Sequence, residues 1–217
     1  VIKVERPDGG DQSRGWGPPF AGGESTYYLS VNRNKRSLTC NFKSPQGLEA
    51  LRRLAERADV LLINERRRAT RQQMGVDYET LSQRNPRLVY CLITGFGGSG
   101  PYADRAGYDI IAQGMAGLMP ITGEGEGAPM RYPASIADLA TALYGLGSTL
   151  AALYARERTG RGRKVELALY DAGLTLTCYY GLEALAQGED PPRYGNAHPS
   201  IVPYGVFQAA DGPLVLT

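Results

Sequence analysis

Apolar and polar positions alternate along this chain with two periods, one near 2 and one near 3.6. A short β-branched run at 1–5 (VIKVE) reads as a strand. A stretch rich in Gly and Pro follows from 6 to 25, holds the lone tryptophan, Trp16, and is expected to be a loop. Residues 27–29 read as extended and 36–42 (RSLTCNF) as another strand. Ser44-Pro45 has the form of a helix start, with a hydroxyl cap and a proline at the first position, where no N–H is needed. Leu48, Leu51, Leu54 and Ala55 then give an apolar stripe to about residue 58. The run at 60–63 is a buried-type strand, 77–83 a short helix closed near Asn85-Pro86, and 88–93 (LVYCLI) the next strand. This alternation predicts βαβ units around a parallel sheet.

The second half carries longer helical patterns. Residues 108–118 read as a helix and 121–133 as a Gly-rich loop. The strongest helix begins near Ser135. Its apolar positions are Ile136, Leu139, Leu143, Leu146, Leu150 and Leu153, spaced 3, 4, 3, 4 and 3. Ala140, Gly145, Gly147, Ala151 and Ala152 leave room for a close neighbour. Thr159-Gly160 stops the helix, with Arg156 and Arg158 in its last turn. Residues 164–169 read as a strand and 171–187 as a further helix, and no internal repeat is present.

Composition narrows the classes. At 217 residues the chain is long enough to bury a core, and 42% hydrophobic with 21% charged residues excludes whole-chain disorder. A net charge of +2 is too small to mark a nucleic-acid binder. Gly, polar or charged residues interrupt every apolar run before the 18 or so residues a spanning helix needs, so no membrane segment is expected. No secretory signal pattern is present. Cys40, Cys91 and Cys178 are odd in number and lack a CxxC, which excludes a disulfide framework and a zinc site. One histidine, His198, excludes multi-His metal sites, so no metal is expected. A cytoplasmic setting fits best. The chain opens on VIKVE without a Met and closes on PLVLT, so a piece of something longer is expected.

Four features bear on chemistry. Gly95–Gly100 matches G-x-G-x-x-G after a strand, but Pro101-Tyr102 follows where a dinucleotide site needs a helix. A loop at a strand end is the better reading. Arg66, Arg67, Arg68 and Arg71 follow the 60–63 strand, as a solvated turn or as a phosphate-binding rim. Asp138 lies three residues after Ser135, as a capping-box acid or as a carboxylate nucleophile, and Asp171 opens the next helix with the same two readings. His198 lies in a loop, and no G-x-S-x-G exists to pair with it.

Five segments together carry a resemblance. They are VIKVERPDGGDQSRGWGPP, NRNKRSLTCNFKSPQG, NPRLVYCLITGFGGSGPYADRAGYDIIAQGMAGLM, SIADLATALYGLGSTLAALYARERTGRGRKVELALYDA and GNAHPSIVPYGVF. In this order they resemble the class III CoA-transferases, a family that includes formyl-CoA and carnitine CoA-transferases and the α-methylacyl-CoA racemases. The resemblance implies an α/β fold, with a Rossmann-like parallel sheet in a large domain and the start of a smaller second domain. Residues 1–187 would form the large domain without its first strand and helix, and 188–217 the linker and the beginning of the small one. It also implies an interlocked homodimer, with acyl-CoA and a carboxylic acid as small-molecule partners and coenzyme A handled as substrate.

The resemblance assigns the catalytic aspartate to Asp138 in Ser135-Ile136-Ala137-Asp138. It assigns the CoA groove to Arg6, to Cys40, Asn41, Phe42 and Lys43, to Asn64, Glu65 and Arg66, and to Ala106, Gly107, Tyr108 and Asp109. Arg71 joins them through the arginine-bearing segment before Gly75. There the family reads Asn-Phe-Arg-Pro-Gly, and this chain departs with Asn64-Glu65-Arg66-Arg67-Arg68. In the transferases the aspartate forms a mixed anhydride and then an aspartyl-CoA thioester. The racemases pair it with a histidine at the GYD tyrosine position. Here that position is Tyr108, and a phenol, as a class titrating at about 10, matches imidazole poorly near neutral pH. The transferase reading is favoured, with a racemase or epimerase, or an inactive CoA-binding piece, as the alternatives.

Overall fold

A computed structural model describes residues 1–217, folded as two compact units: 1–59 with 69–88, and 60–68 with 89–217. In the first, β1 (Ile2–Glu5) leads through a 3-10 turn at Gln12–Gly15 to a small hairpin of β2 (Phe20–Ala21) and β3 (Glu24–Ser25). Helix α1 (Thr26–Asn32) follows, then β4 (Arg36–Thr39), which runs parallel to β1 with Glu5 opposite Thr39. Helix α2 (Pro45–Glu56) starts as its Ser-Pro pair predicts, the Ser44 hydroxyl accepting the Gly47 N–H at 3.0 Å. Helices α3 (Arg68–Met74) and α4 (Tyr78–Arg84) complete the unit.

Two expectations are corrected here. Residues 27–29 are helical, because Ser25 caps the amide of Tyr28 and its hydroxyl donates to the Trp16 carbonyl. That cap outweighs the weak strand preference of two tyrosines. The second strand ends at Thr39, three residues before Phe42. At its partner's end Glu5 is buried and ionised. It accepts from Arg14 Nη2 and Ser37 Oγ, each at 2.9 Å, and the Arg14 bond foremost holds its carboxyl below the usual range.

The second unit is built on three parallel strands, β5 (Val60–Ile63), β6 (Val89–Thr94) and β7 (Lys164–Ala168), with β6 in the middle. Val89, Tyr90, Cys91 and Leu92 are almost wholly buried, as a parallel strand covered on both faces requires. Between β6 and β7 the chain forms α5 (Asp109–Met115), α6 (Leu118–Ile121) and the long α7 (Ile136–Thr159). After β7 come α8 (Leu169–Leu176) and α9 (Cys178–Gln187), then a hairpin of β8 (Gly205–Ala209) and β9 (Gly212–Leu216). The single helix expected at 171–187 is therefore two. The hydroxyls of Thr175 and Thr177 bond back to the Ala172 and Leu174 carbonyls, and Cys178 takes φ 51°, which breaks the ladder.

A leucine stripe ordinarily marks the buried face of a helix. In α7 the small residues are buried instead: Ala137, Ala140, Thr141, Gly145 and Ala152. A Cβ on Gly145 would meet Leu167 Cδ1 at 3.4 Å and Ile93 Cδ1 at 3.8 Å, so the helix lies close on β6 and β7. Leu139, Leu143, Leu146 and Leu150 are half or more exposed. The sequence shows no uninterrupted apolar run of spanning length, yet α7 is long and apolar enough to cross a membrane by length and composition, with mean hydropathy 1.4 over its most apolar 18 residues. The difference is that Gly, Ser and Thr interrupt a run without making the segment polar.

Candidate active site

The expected groove residues leave the C-terminal ends of parallel strands, where open α/β sheets bind ligands. In the first unit Arg6 follows β1 and Cys40 follows β4, and the Cys40 N–H donates to the Glu5 carbonyl at 2.8 Å. Arg6 is exposed and donates from Nε to the Gly10 carbonyl at 3.0 Å. Asn41 and Lys43 are exposed and Phe42 half-buried; the Asn41 side chain accepts the Lys43 N–H at 2.9 Å and turns the chain into α2. The Cys40 thiol is buried and donates to the Gly47 carbonyl at 3.2 Å. Arg71 is 4% exposed, inside α3, which removes it from an open phosphate-binding rim.

In the second unit Asn64, Glu65 and Arg66 follow β5. Glu65 accepts the Arg67 N–H at 2.9 Å, and Arg66 Nε donates to the Asp104 carbonyl at 2.9 Å, tying the end of β5 to the loop after β6. That loop, 95–108, opens no helix at its third glycine, as the polar residues after it predict. A Cβ on Gly95 would lie 2.6 Å from the Cα of Gly107, so two backbones cross where only glycine fits. This crossing brings Gly95–Gly100 beside Ala106-Gly107-Tyr108, whose tyrosine ring is exposed.

Asp138 sits in the first turn of α7, half-buried. The expected capping box is absent, since Ser135 makes no side-chain cap. The cap comes from α5: Asp109 Oδ1 accepts the Ala137 N–H at 2.8 Å and the Asp138 N–H at 3.5 Å. Asp109 Oδ2 accepts Gln113 Nε2 at 2.6 Å, and Gln113 Oε1 accepts the Tyr132 N–H at 2.8 Å. Asp109 is 8% exposed and Gln113 fully buried. Burial pushes the Asp138 carboxyl above the ordinary carboxylate range, and the Asp109 charge adds to the rise. Asp171, the other helix-start acid, is solvent-exposed. Sequence reasoning missed Gln113. The one available signal is a glutamine four residues after Asp109 in the otherwise apolar IIAQGMA.

Two further residues organise nearby loops. Arg193 donates to the carbonyls of Pro120, Glu124, Gly125 and Gly127 and ties residues 120–127 to the chain after α9. His198 Nδ1 accepts the Ser200 N–H at 3.1 Å, and its ring packs beside Tyr179 and Tyr204.

Residues 1–217 match the model of CoA-transferase family III. The chain is 47% identical over its whole length to the succinate–glutarate CoA-transferase of Agrobacterium fabrum, covering 55% of that protein. It is 43% identical over its whole length to the human succinyl-CoA:glutarate CoA-transferase, covering 49%. Among solved structures, 98% of the chain superposes on a CAIB/BAIF family protein from Brucella suis with TM-score 0.90 and 44% identity, covering 57% of that chain. The chain thus spans about half the length of the curated relatives it matches.

Proposed function

Because this chain belongs to CoA-transferase family III, we propose that the intact protein moves coenzyme A between carboxylic acids with Asp138 as nucleophile. The observation that carries this reading is the setting of Asp138. Its carboxylate is half-buried at the start of a 24-residue helix, and it is not needed as that helix's cap. A carboxylate whose anion is less well stabilised is more basic, hence more nucleophilic once ionised.

The steps balance without a redox partner. An Asp138 oxygen attacks the thioester carbonyl, and the C–S bond breaks to give a mixed anhydride and CoA thiolate. The thiolate attacks the aspartyl carbonyl, releases the donor acid as carboxylate and leaves an aspartyl-CoA thioester. The acceptor carboxylate attacks that thioester and expels CoA thiolate, giving a second anhydride. The thiolate then attacks the acceptor carbonyl, forms the new acyl-CoA and frees Asp138. Backbone N–H groups of the loop 95–100 are the candidate donors to the oxyanions. Tyr108 in place of an imidazole supports transfer over racemisation.

For the donor and acceptor we propose small dicarboxylic acids, since the relatives at 43–47% identity are named for succinate or succinyl-CoA with glutarate. The reading carries with it a homodimer, a cytoplasmic setting, and CoA contacts from the strand-end residues of each unit. Intact protein given succinyl-CoA and then hydroxylamine is expected to carry a hydroxamate on Asp138, located by peptide mass mapping. Asp138→Ala is expected to lose on the order of 10³-fold or more in kcat. Turnover persisting in that variant would refute the assignment.

A further inference from the structure

We propose that Asp109 is the positioning residue for Asp138: its carboxylate caps the first turn of α7, fixes the backbone that carries Asp138, and occupies the positive helix end with a second negative charge. The proposal rests on Asp138 being the nucleophile. It changes the role that family resemblance gives Asp109, from lining the CoA groove to orienting the reacting carboxylate.

Three observations carry it. Helix α7 has a serine at the residue before its first turn, yet Ser135 is not used as a cap, and the acceptor comes from α5, 28 residues upstream of Ala137. The acceptor is itself held: Gln113 grips its second oxygen and reaches on to the Tyr132 N–H. Tyr132, Gln113, Asp109 and Ala137 therefore form one bonded path that fixes both the segment entering α7 and its first turn. Finally, the cap is charged. For stability alone a neutral hydroxyl or amide serves a helix start as well. A carboxylate beside another carboxylate is costly, and it removes from Asp138 the helix-end field that would settle its anion.

The other titratable groups on elements packed against α7 are Tyr90 and Cys91 on β6, Lys164 and Glu166 on β7, and Tyr170 and Asp171 on α8. Arg131, in the segment entering the helix, donates to the Tyr132 and Pro133 carbonyls. Burial is the first cause of the raised Asp138 titration, and the Asp109 charge, whose carboxylate caps the same turn, adds to it. Removing that charge is expected to lower the Asp138 titration towards the value that burial alone sets, and so to make the carboxylate a weaker nucleophile.

The test is Asp109→Asn in the intact protein, assayed with succinyl-CoA and glutarate across pH. We expect kcat to fall about 10-fold or more, KM for the thioester to change by less than about 2-fold, and the acid limb of kcat/KM to move to lower pH. Should that variant not fold, Gln113→Met is read in its place. It keeps the charge but loosens its grip, so kcat should fall with the acid limb unmoved. An Asp109→Asn enzyme with wild-type kcat, or with a lowered kcat and an unmoved acid limb, overturns the proposal. So does a wild-type kcat in Gln113→Met. Turnover in Asp138→Ala instead overturns the nucleophile assignment itself, whatever Asp109 does.

Discussion

A carboxylate in the first turn of a helix ordinarily draws stability from the amides beside it. In α7 the amides of Ala137 and Asp138 go to Asp109 instead, and the titration of the half-buried Asp138 rises. Asp11 shows the opposite case in the same chain. Burial works against its charge, but the Lys3 ammonium at 2.5 Å and the hydroxyl and amide of Ser13 prevail, bringing its carboxyl from 3.8 down to about 2. A depressed carboxylate contributes stability above its unfolded value and loses it as pH falls through the folded one. Wild type should therefore exceed Asp11→Asn by about 1 kcal/mol above pH 4, after allowance for solvent screening, and the gap should shrink below that and close as pH falls through about 2. Urea unfolding midpoints across that interval check this. The sequence made Asp138 legible as a helix-start acid. Asp109 was not legible as its cap, because side-chain caps are read locally and this one comes from another helix.

Helix α7 shows how hydropathy can name the right element and the wrong face. The 3-4 leucine spacing locates the helix correctly, and Thr159-Gly160 ends it as expected, the Gly160 N–H bonding the Arg156 carbonyl at 2.8 Å. The packed side is nevertheless the small one, because close approach to β6 and β7 leaves no depth for leucine. Gly145→Leu should destabilise the fold by about 1–3 kcal/mol through overpacking against Leu167. Gly145→Ala, whose added methyl meets only ordinary contacts, should be neutral or stabilising by up to about 1 kcal/mol. Leu143→Ala, at 71% exposure, should change stability by less than about 0.5 kcal/mol. Thermal melts of the three variants separate these outcomes. The same limit explains the elements missed elsewhere. Helix α1 depends on a serine tied to the distant Trp16 carbonyl, and α3 lies in an arginine-rich stretch with no apolar period.

At the scale of the whole chain, the parallel α/β architecture was legible from the alternation of strands and helices, and it agrees with the fold shared at TM-score 0.90. The division into two units was not. Residues 60–68 belong with 89–217, and 69–88 return to 1–59, so neither side of the division is a continuous stretch of sequence. Patterning is local and carries no record of which distant stretch a strand pairs with. The order β5-β6-β7 therefore has a consequence in time. β6 ends at Thr94 and its second partner starts at Lys164, 70 residues later. At ~5–20 residues per second of synthesis, Val89–Thr94 waits roughly 4–14 s with one edge unpaired. Nascent chains halted near residue 150 should be cut by protease around 89–94, and chains released from the ribosome should be protected there. Until β7 arrives, the strand left open longest is the apolar one at the centre of this sheet, where an extended-segment chaperone would find its edge.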